Sequence, residues 1–273
     1  MLKHKIITMT RFYKKLTFII LLVFVVLSCK NDDDQEIQES MAENRKALGS
    51  SAEDLLSADT YKSMTIELVF SPAYKPTTQT LDLFRDFINA RVNKPDGITF
   101  IETNISDQNG PFSISQIRTI ENEQRTRYTV GDDIAVYVYF ASGNANSDTS
   151  TSVTIGTAYQ NTSIVIYEKT LQEVTNNVQD VLTRLEATTL HHEFGHLFGL
   201  VNIQDDDIHP GGKHEDLDHQ KHCIIDDCLM YFESQTLKRD QLSKNIERLK
   251  GFQNIPSFDP GFCIHDLQVK GGI

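Results

Sequence analysis

Apolar and polar positions along the chain fall into three regimes. From residue 64 to 70, Met64, Ile66, Leu68 and Phe70 alternate with Thr65 and Glu67, and Ser71-Pro72 ends the run. That is the period of a strand. Residues 80–92 place Leu81, Phe84, Ile88 and Val92 at helical spacing, closed by Pro95 and Gly97, so a helix is predicted there. Residues 98–105 and 134–140 read as strands, and the Ser/Asn/Asp-rich stretch 142–152 as a loop. Two further short strands, 153–155 and 163–167, flank residues 156–162. From Val174 the period lengthens. Val174, Val178, Val181, Leu182 and Leu185 share one face of a long helix that runs to Phe198, before Gly199. Strand, helix and strand, then more strands and a long helix, predict an α/β fold with helices layered on a mixed sheet.

The N-terminus follows a different rule. Residues 16–27 are almost wholly apolar and follow Lys3, Lys5, Arg11, Lys14 and Lys15. A spanning helix needs about 20 apolar residues, so this shorter run reads as the core of a signal peptide. It ends Val26-Leu27-Ser28-Cys29. That ending resembles a bacterial lipoprotein signal, which implies that Cys29 is lipidated as the first mature residue. The other reading of Cys29 is a buried or disulfide-bonded cysteine after an ordinary signal. Lys30-Asn31-Asp32-Asp33-Asp34 is similar to the acidic tether of surface lipoproteins of Bacteroidetes. By that resemblance the chain is exported, anchored to the outer membrane by its N-terminal lipid alone, and displayed on the surface. Residues 1–28 are then the signal, 29–60 a polar acidic tether with one short helix, and 61–273 the working domain.

Composition narrows the class. The chain has 273 residues, of which 39% are hydrophobic and 23% charged, enough for the core of one large domain or two small ones. With 38 acidic against 26 basic groups the net charge is −12. An acidic body repels phosphate, so a nucleic-acid partner is excluded. No repeat period is present, which argues against a solenoid or propeller.

The chemistry lies in His192-Glu193-Phe194-Gly195-His196. Four residues apart on a helix, the two histidines share a face, with Cβ atoms about 5–6 Å apart. Two imidazoles so placed can each give a nitrogen to one tetrahedral Zn²⁺. Glu193 then stands beside the open coordination position, where it can act as general base toward water and return the proton to a leaving amine. This is the zincin pattern. His191 lies on another face, behind the ligands or at the surface.

A third ligand must come from further along. In metzincins the helix ends at a glycine, matched here by Gly199, and a histidine follows three residues later; Asn202 stands at that position and is a poor zinc ligand. Histidines return as His209, His214, His219 and His222. His222-Cys223, four residues, Cys228, one residue and Met230 resemble the archaemetzincin signature at its full spacing. That resemblance implies His222 as third zinc ligand and Met230 as the residue of the turn beneath the metal. The chain departs from it in an insertion of some twenty residues after Asn202, from which His219 and, more weakly, His214 compete for the role. The family also uses four cysteines for a second, structural zinc. Here Cys223, Cys228 and Cys263 remain, and the place of the fourth reads His265-Asp266. Two outcomes stay open: a second zinc held with His265 or Asp266, or a Cys223–Cys228 disulfide suited to an oxidising compartment.

Around these residues, Asp205-Asp206-Asp207 and Glu215-Asp216-Leu217-Asp218 crowd the insertion with carboxylates. They read as a solvated acidic loop, with a Ca²⁺ site as the alternative. Gly211 and Gly212 suggest a loop that moves as a lid. Tyr231 is assigned to the pocket wall. The expectation is a zinc metalloendopeptidase with a metzincin-like zincin domain: a mixed twisted sheet, a backing helix, an active-site helix, and a C-terminal part that is largely irregular and helical. Its partners would be proteins or peptides bound along an edge strand within 153–167. Two other functions are consistent with the residues: a zincin-fold surface protein that binds without turnover, and a lipoprotein that captures metal through its His/Asp-rich stretch.

Overall fold

The computed structural model describes residues 39–205, 208–209, 214–240 and 255–273. The signal, Cys29 and the first part of the expected tether, residues 29–38, lie outside the described residues, as do Asp206, Asp207, Gly211 and Gly212. Among the described residues no helix is long and apolar enough to cross a membrane.

One compact unit spans Glu43–Ile273. Its elements in chain order are α1 (Ala52–Leu56), β1 (Ser63–Phe70), α2 (Thr78–Asn89), β2 (Ile98–Asn104), α3 (Ile114–Gln124), β3 (Asp133–Phe140), β4 (Ser152–Thr154), β5 (Gly156–Gln160), β6 (Ser163–Ile166), α4 (Glu168–Thr175), α5 (Gln179–Leu197), β7 (Thr236–Lys238) and α6 (Cys263–Val269). Five strands form one sheet in the order β2-β1-β3-β6-β5, and β4 pairs with β7 in a separate two-stranded ribbon. All neighbours in the large sheet run parallel except β5, which runs antiparallel to β6 and forms one edge. The mixed α/β architecture expected from the pattern is therefore present.

The winding direction explains the layers. The chain passes from β1 outward to β2, then back across β1 to β3. Right-handed crossovers in opposite directions put their helices on opposite faces. Accordingly Met64, Ile66, Leu68 and Phe70 of β1, with Ile134, Val136, Val138 and Phe140 of β3, pack in one core with Leu81, Phe84 and Ile88 of α2 and Leu185, Leu190, Phe194 and Leu197 of α5. The alternate positions Val69, Tyr137, Tyr139, Val165 and Tyr167 pack against Ile117 and Ile120 of α3. Burial on both faces is why β3 reads as a nearly continuous apolar run. Both crossover helices are capped. Thr80 N donates to the Thr77 hydroxyl at the start of α2, and Ser113 and Gln116 form a reciprocal capping box at α3.

Three expectations are corrected. Residues 43–60 are part of the fold, not tether: Leu55 and Leu56 are fully buried. The Asn44 amide donates to Ala135 O at 2.8 Å and to the hydroxyls of Thr129 and Thr162. The long helix from 174 is two helices, because Asn176 and Asn177 adopt φ of 49° and 56°. Asparagine tolerates that left-handed region, and a kinked turn there lets α5 start in a new direction. Finally, residues 156–160 form β5 and are not a connector.

Candidate metal and active site

Helix α5 is buried on nearly every side between the sheet and the C-terminal segment: Leu185 through Leu197 are all buried. Its polar residues therefore need built partners. His192 and His196, one turn apart, meet His222 from the segment beyond. The three ring centroids stand 4.8, 5.2 and 5.1 Å apart, and one nitrogen from each ring lies within 4.8 Å of the others. Two backbone contacts fix which nitrogens face inward. His192 Nδ1 lies 2.7 Å from Leu229 O, and His222 Nδ1 lies 3.0 Å from Gln220 O. A carbonyl only accepts, so each Nδ1 carries the proton and each Nε2 keeps its lone pair. Both Nε2 atoms are buried without a hydrogen-bond partner in the described structure. Burial holds His192 down to about 3, and lowers His196 and His222 as well. Three imidazoles held toward the neutral form, each bringing one nitrogen to a common point, fit a Zn²⁺ ion.

Glu193 is fully buried beside them. Its Oε2 accepts from Ala158 N of β5 at 2.7 Å. Burial pushes its carboxyl up to about 8, against the pull of Ala158 N–H and the Gln235 side chain. Two glycines allow this closeness. A methyl at Gly156 would sit 2.8 Å from Glu193 Oε1 and 2.6 Å from Thr189 Cγ2, and one at Gly195 would collide with Met230 Sδ. So β5 and the turn at Met230 press on α5 from different sides through positions without a side chain. Gly199 (φ 67°) ends the helix, with Leu200 N bonded to Gly195 O and the Lys270 ammonium donating to Gly199 O at 3.1 Å.

The rival histidines go elsewhere. His219 stacks on Phe232 at 3.6 Å and pairs with Asp216 at 2.8 Å. His191 is buried, not at the surface, and stacks on Phe87 at 4.0 Å. Asn202 donates to Glu215. The acidic residues of the insertion are engaged locally, Asp205 with Lys221 and Asp216 with His219, and among the described residues they form no group of three ligands. Tyr231 tilts against Phe232, 4.7 Å between rings. Gln235 was not anticipated. Its side chain lies beside both groups, lowering the Glu193 carboxyl and raising the His222 imidazole against the larger effect of burial, and no linear pattern announces it.

A second cluster lies in the C-terminal segment. Cys223, Cys228 and Cys263 are free and buried in this structure. Cys228 Sγ is 3.6 Å from Cys263 Sγ, and His214 Nδ1 is 3.4 Å from Cys223 Sγ and 3.9 Å from Cys263 Sγ. Hydrogen bonds from Cys223 and Cys263, then from the N–H groups of Asp259 and Met230, bring Cys228 down to about 3; Cys223, as donor, is pushed up to about 12. The fourth group beside the sulfurs is thus His214, not His265 or Asp266. Three thiols and an imidazole, closed from solvent, are the donor set of a structural zinc.

Residues 119–213 match the model of a family described as zincin-like metallopeptidase. That segment contains α5 with His192, Glu193 and His196, and it stops before His222. In three dimensions the chain is similar to the crystal structure of archaemetzincin from Methanopyrus kandleri. Identity is 13% and the TM-score 0.45, over 77% of this chain and 96% of that one. No curated protein matches the chain. Over residues 119–213, therefore, the chain is similar to zincin-like metallopeptidases.

Proposed function

We propose that the protein is an exported metalloendopeptidase in which His192, His196 and His222 hold the catalytic zinc and Glu193 moves the proton. The observation that carries this reading is the meeting of three imidazoles, one nitrogen of each within 4.8 Å of the others, with a buried carboxylate. Zinc, when bound, supplies Lewis-acid polarisation of the scissile carbonyl and lowers the pKa of a coordinated water to about 7. Ala158 N–H anchors Glu193 Oε2, which leaves Oε1 to take a proton from the attacking water and return it to the leaving amine. Edge strand β5 offers its outer backbone to an extended peptide, which would add to the sheet directly beside Glu193. His214, Cys223, Cys228 and Cys263 hold a second, structural zinc, and Met230 is the turn residue beneath the catalytic site.

Replacing Glu193 by Gln should keep zinc and lower hydrolysis of a quenched-fluorescence peptide library at least about 100-fold; His222→Ala should lose the catalytic ion as well. Wild-type turnover by the Glu193→Gln protein would sink the mechanism, and a zinc-loaded wild type without turnover would favour a binding protein. Membrane anchorage rests on the sequence around Cys29 and predicts that Cys29→Ala moves the protein from the membrane to the soluble fraction.

A further inference from the structure

Displaced from the sulfurs, His265 and Asp266 take part in a separate group. Asp266 lies on α6 with its carboxylate almost wholly buried, where an anion needs cations or donors close by. Its two oxygens face two imidazoles. Oδ2 is 3.0 Å from His214 Nε2 and hydrogen-bonded to it, so Asp266 orients the ring whose other nitrogen faces Cys223 and Cys263. Oδ1 is 2.6 Å from His209 Nε2, yet this buried oxygen accepts no hydrogen bond among the described residues. The two atoms are close but are not aligned as donor and acceptor. His265 closes the group: its ring centroid is 4.9 Å from that of His209, and one ligand atom each from His209, His265 and Asp266 lies within 4.8 Å of the others.

Atoms that crowd one point without pointing at each other are arranged as co-ligands are. In a polyhedron with bonds of about 2.1 Å, neighbouring ligand atoms stand roughly 3 Å apart. We propose that His209, His265 and Asp266 form a further metal site, for an exchangeable divalent first-row transition ion. Two imidazoles and one carboxylate are a nitrogen and oxygen set of borderline character, suited to zinc and its neighbours and poorly suited to Ca²⁺ or Mg²⁺. The site differs from the thiol cluster in access. Cys223, Cys228, Cys263 and His214 are all buried, whereas His265 is exposed and His209 half-buried, so water and chelators reach this ion first. Its ligands come from two places: His209 from the insertion after α5, His265 and Asp266 from α6. An ion here ties the insertion to the C-terminal helix. The Asp266 carboxylate then joins two metal sites, one oxygen on this ion and the other on His214.

The test is zinc titration of the untagged full chain by native mass spectrometry, beside His265→Ala and His209→Ala, each repeated with Co²⁺. Wild type should bind one more equivalent than either variant, held weakly enough for a mild chelator to remove it before the others. Because the readout is a difference between wild type and variant, it stands whether or not the catalytic site fills. Cobalt distinguishes the sites: the equivalent lost in His265→Ala should carry no thiolate charge-transfer band, and the thiolate band of the cysteine cluster should persist. Equal stoichiometry in wild type and His265→Ala would overturn the site. So would loss of the thiolate band in that variant, since His265 would then belong to the cysteine cluster.

Discussion

Residues 43–197 and the described part of residues 214–273 depend on apolar packing to different degrees. In the first stretch the strands and helices share two apolar cores, one on each face of the sheet. In the second, the buried apolar side chains among the described residues are Leu229, Met230, Leu237, Phe258 and Leu267, beside three cysteines, while Leu217, Ile224 and Val269 stand in solvent. These side chains join the core that α2 and α5 share with the sheet, but among the described residues they are few for a largely irregular segment to set against its conformational entropy. What it has instead is a concentration of ligand-type side chains. The candidate catalytic site spans the two regimes, since His192 and His196 come from the first and His222 from the second. A zinc at that point would also clasp the segment to α5.

The largest effect expected from this contrast is on metal removal. Structural zinc contributes an apparent 10–16 kcal/mol in small metal-dependent folds near neutral pH. Stripping metal with a strong chelator should therefore release residues 214–240 and 255–273 while β1 and β3 stay folded. Hydrogen exchange reads this directly: amides such as Cys223 N, bonded to Met230 O, and Leu229 N, bonded to Ser257 O, should lose protection first. Loss of protection in β1 and β3 at the same chelator concentration would break the comparison, by showing one cooperative unit.

A smaller effect is expected where a regular element meets the site. Gly156 lies on β5 where any Cβ would press on Thr189 and Glu193. Gly156→Ala should push the Glu193 carboxylate off its bond to Ala158 N. Misplacement of about 1 Å can cost on the order of 100-fold in rate, so peptide hydrolysis should fall roughly 10- to 100-fold with zinc content unchanged. Zinc loss in this variant would mean that β5 positions the ligands themselves.

The same contrast explains what could be read from the chain. Strands β1, β2 and β3 and the helix α2 follow from period alone, because apolar burial leaves a periodic trace. Helix α3 escaped that reading, because only Ile117 and Ile120 are its buried apolar anchors; its trace in the sequence is the capping box Ser113-Ile-Ser-Gln116. Asn176-Asn177 held the break between α4 and α5 in plain sight as a pair of residues at ease with positive φ. His192, Glu193 and His196 are legible because one helix carries all three. His222 came through resemblance, since its approach depends on a tertiary path. Gln235 and the choice of His214 over Asp266 as neighbour of the sulfurs have no linear signature at all, for they arise where irregular chain folds back on itself.

The smallest effect separates the regimes from the other side, through a polar flaw inside the apolar one. Glu168 of α4 and Glu186 of α5 are both fully buried. Glu186 Oε2 accepts from Thr77 N at 3.1 Å and from the Thr80 hydroxyl, which ties α5 to the cap of α2. Glu168 Oε1 accepts from Gln172 at 3.0 Å. Burial, and then the neighbouring Glu186 carboxylate, push the Glu168 carboxyl well above its ordinary range. In the unfolded chain the group titrates near about 4.3, so above that pH the folded state binds the extra proton. Stability is then fully present below the unfolded pKa and is lost as the pH rises through the folded one. Glu168→Gln keeps the shape and removes the titration. It should leave stability unchanged near pH 4, raise it by about 1 kcal/mol at pH 8, and flatten the slope between. Urea melts at the two pH values measure it. An equal change at both would show that Glu168 is not the group that titrates. A loss at pH 8 would show instead that its charge is needed across α4 and α5.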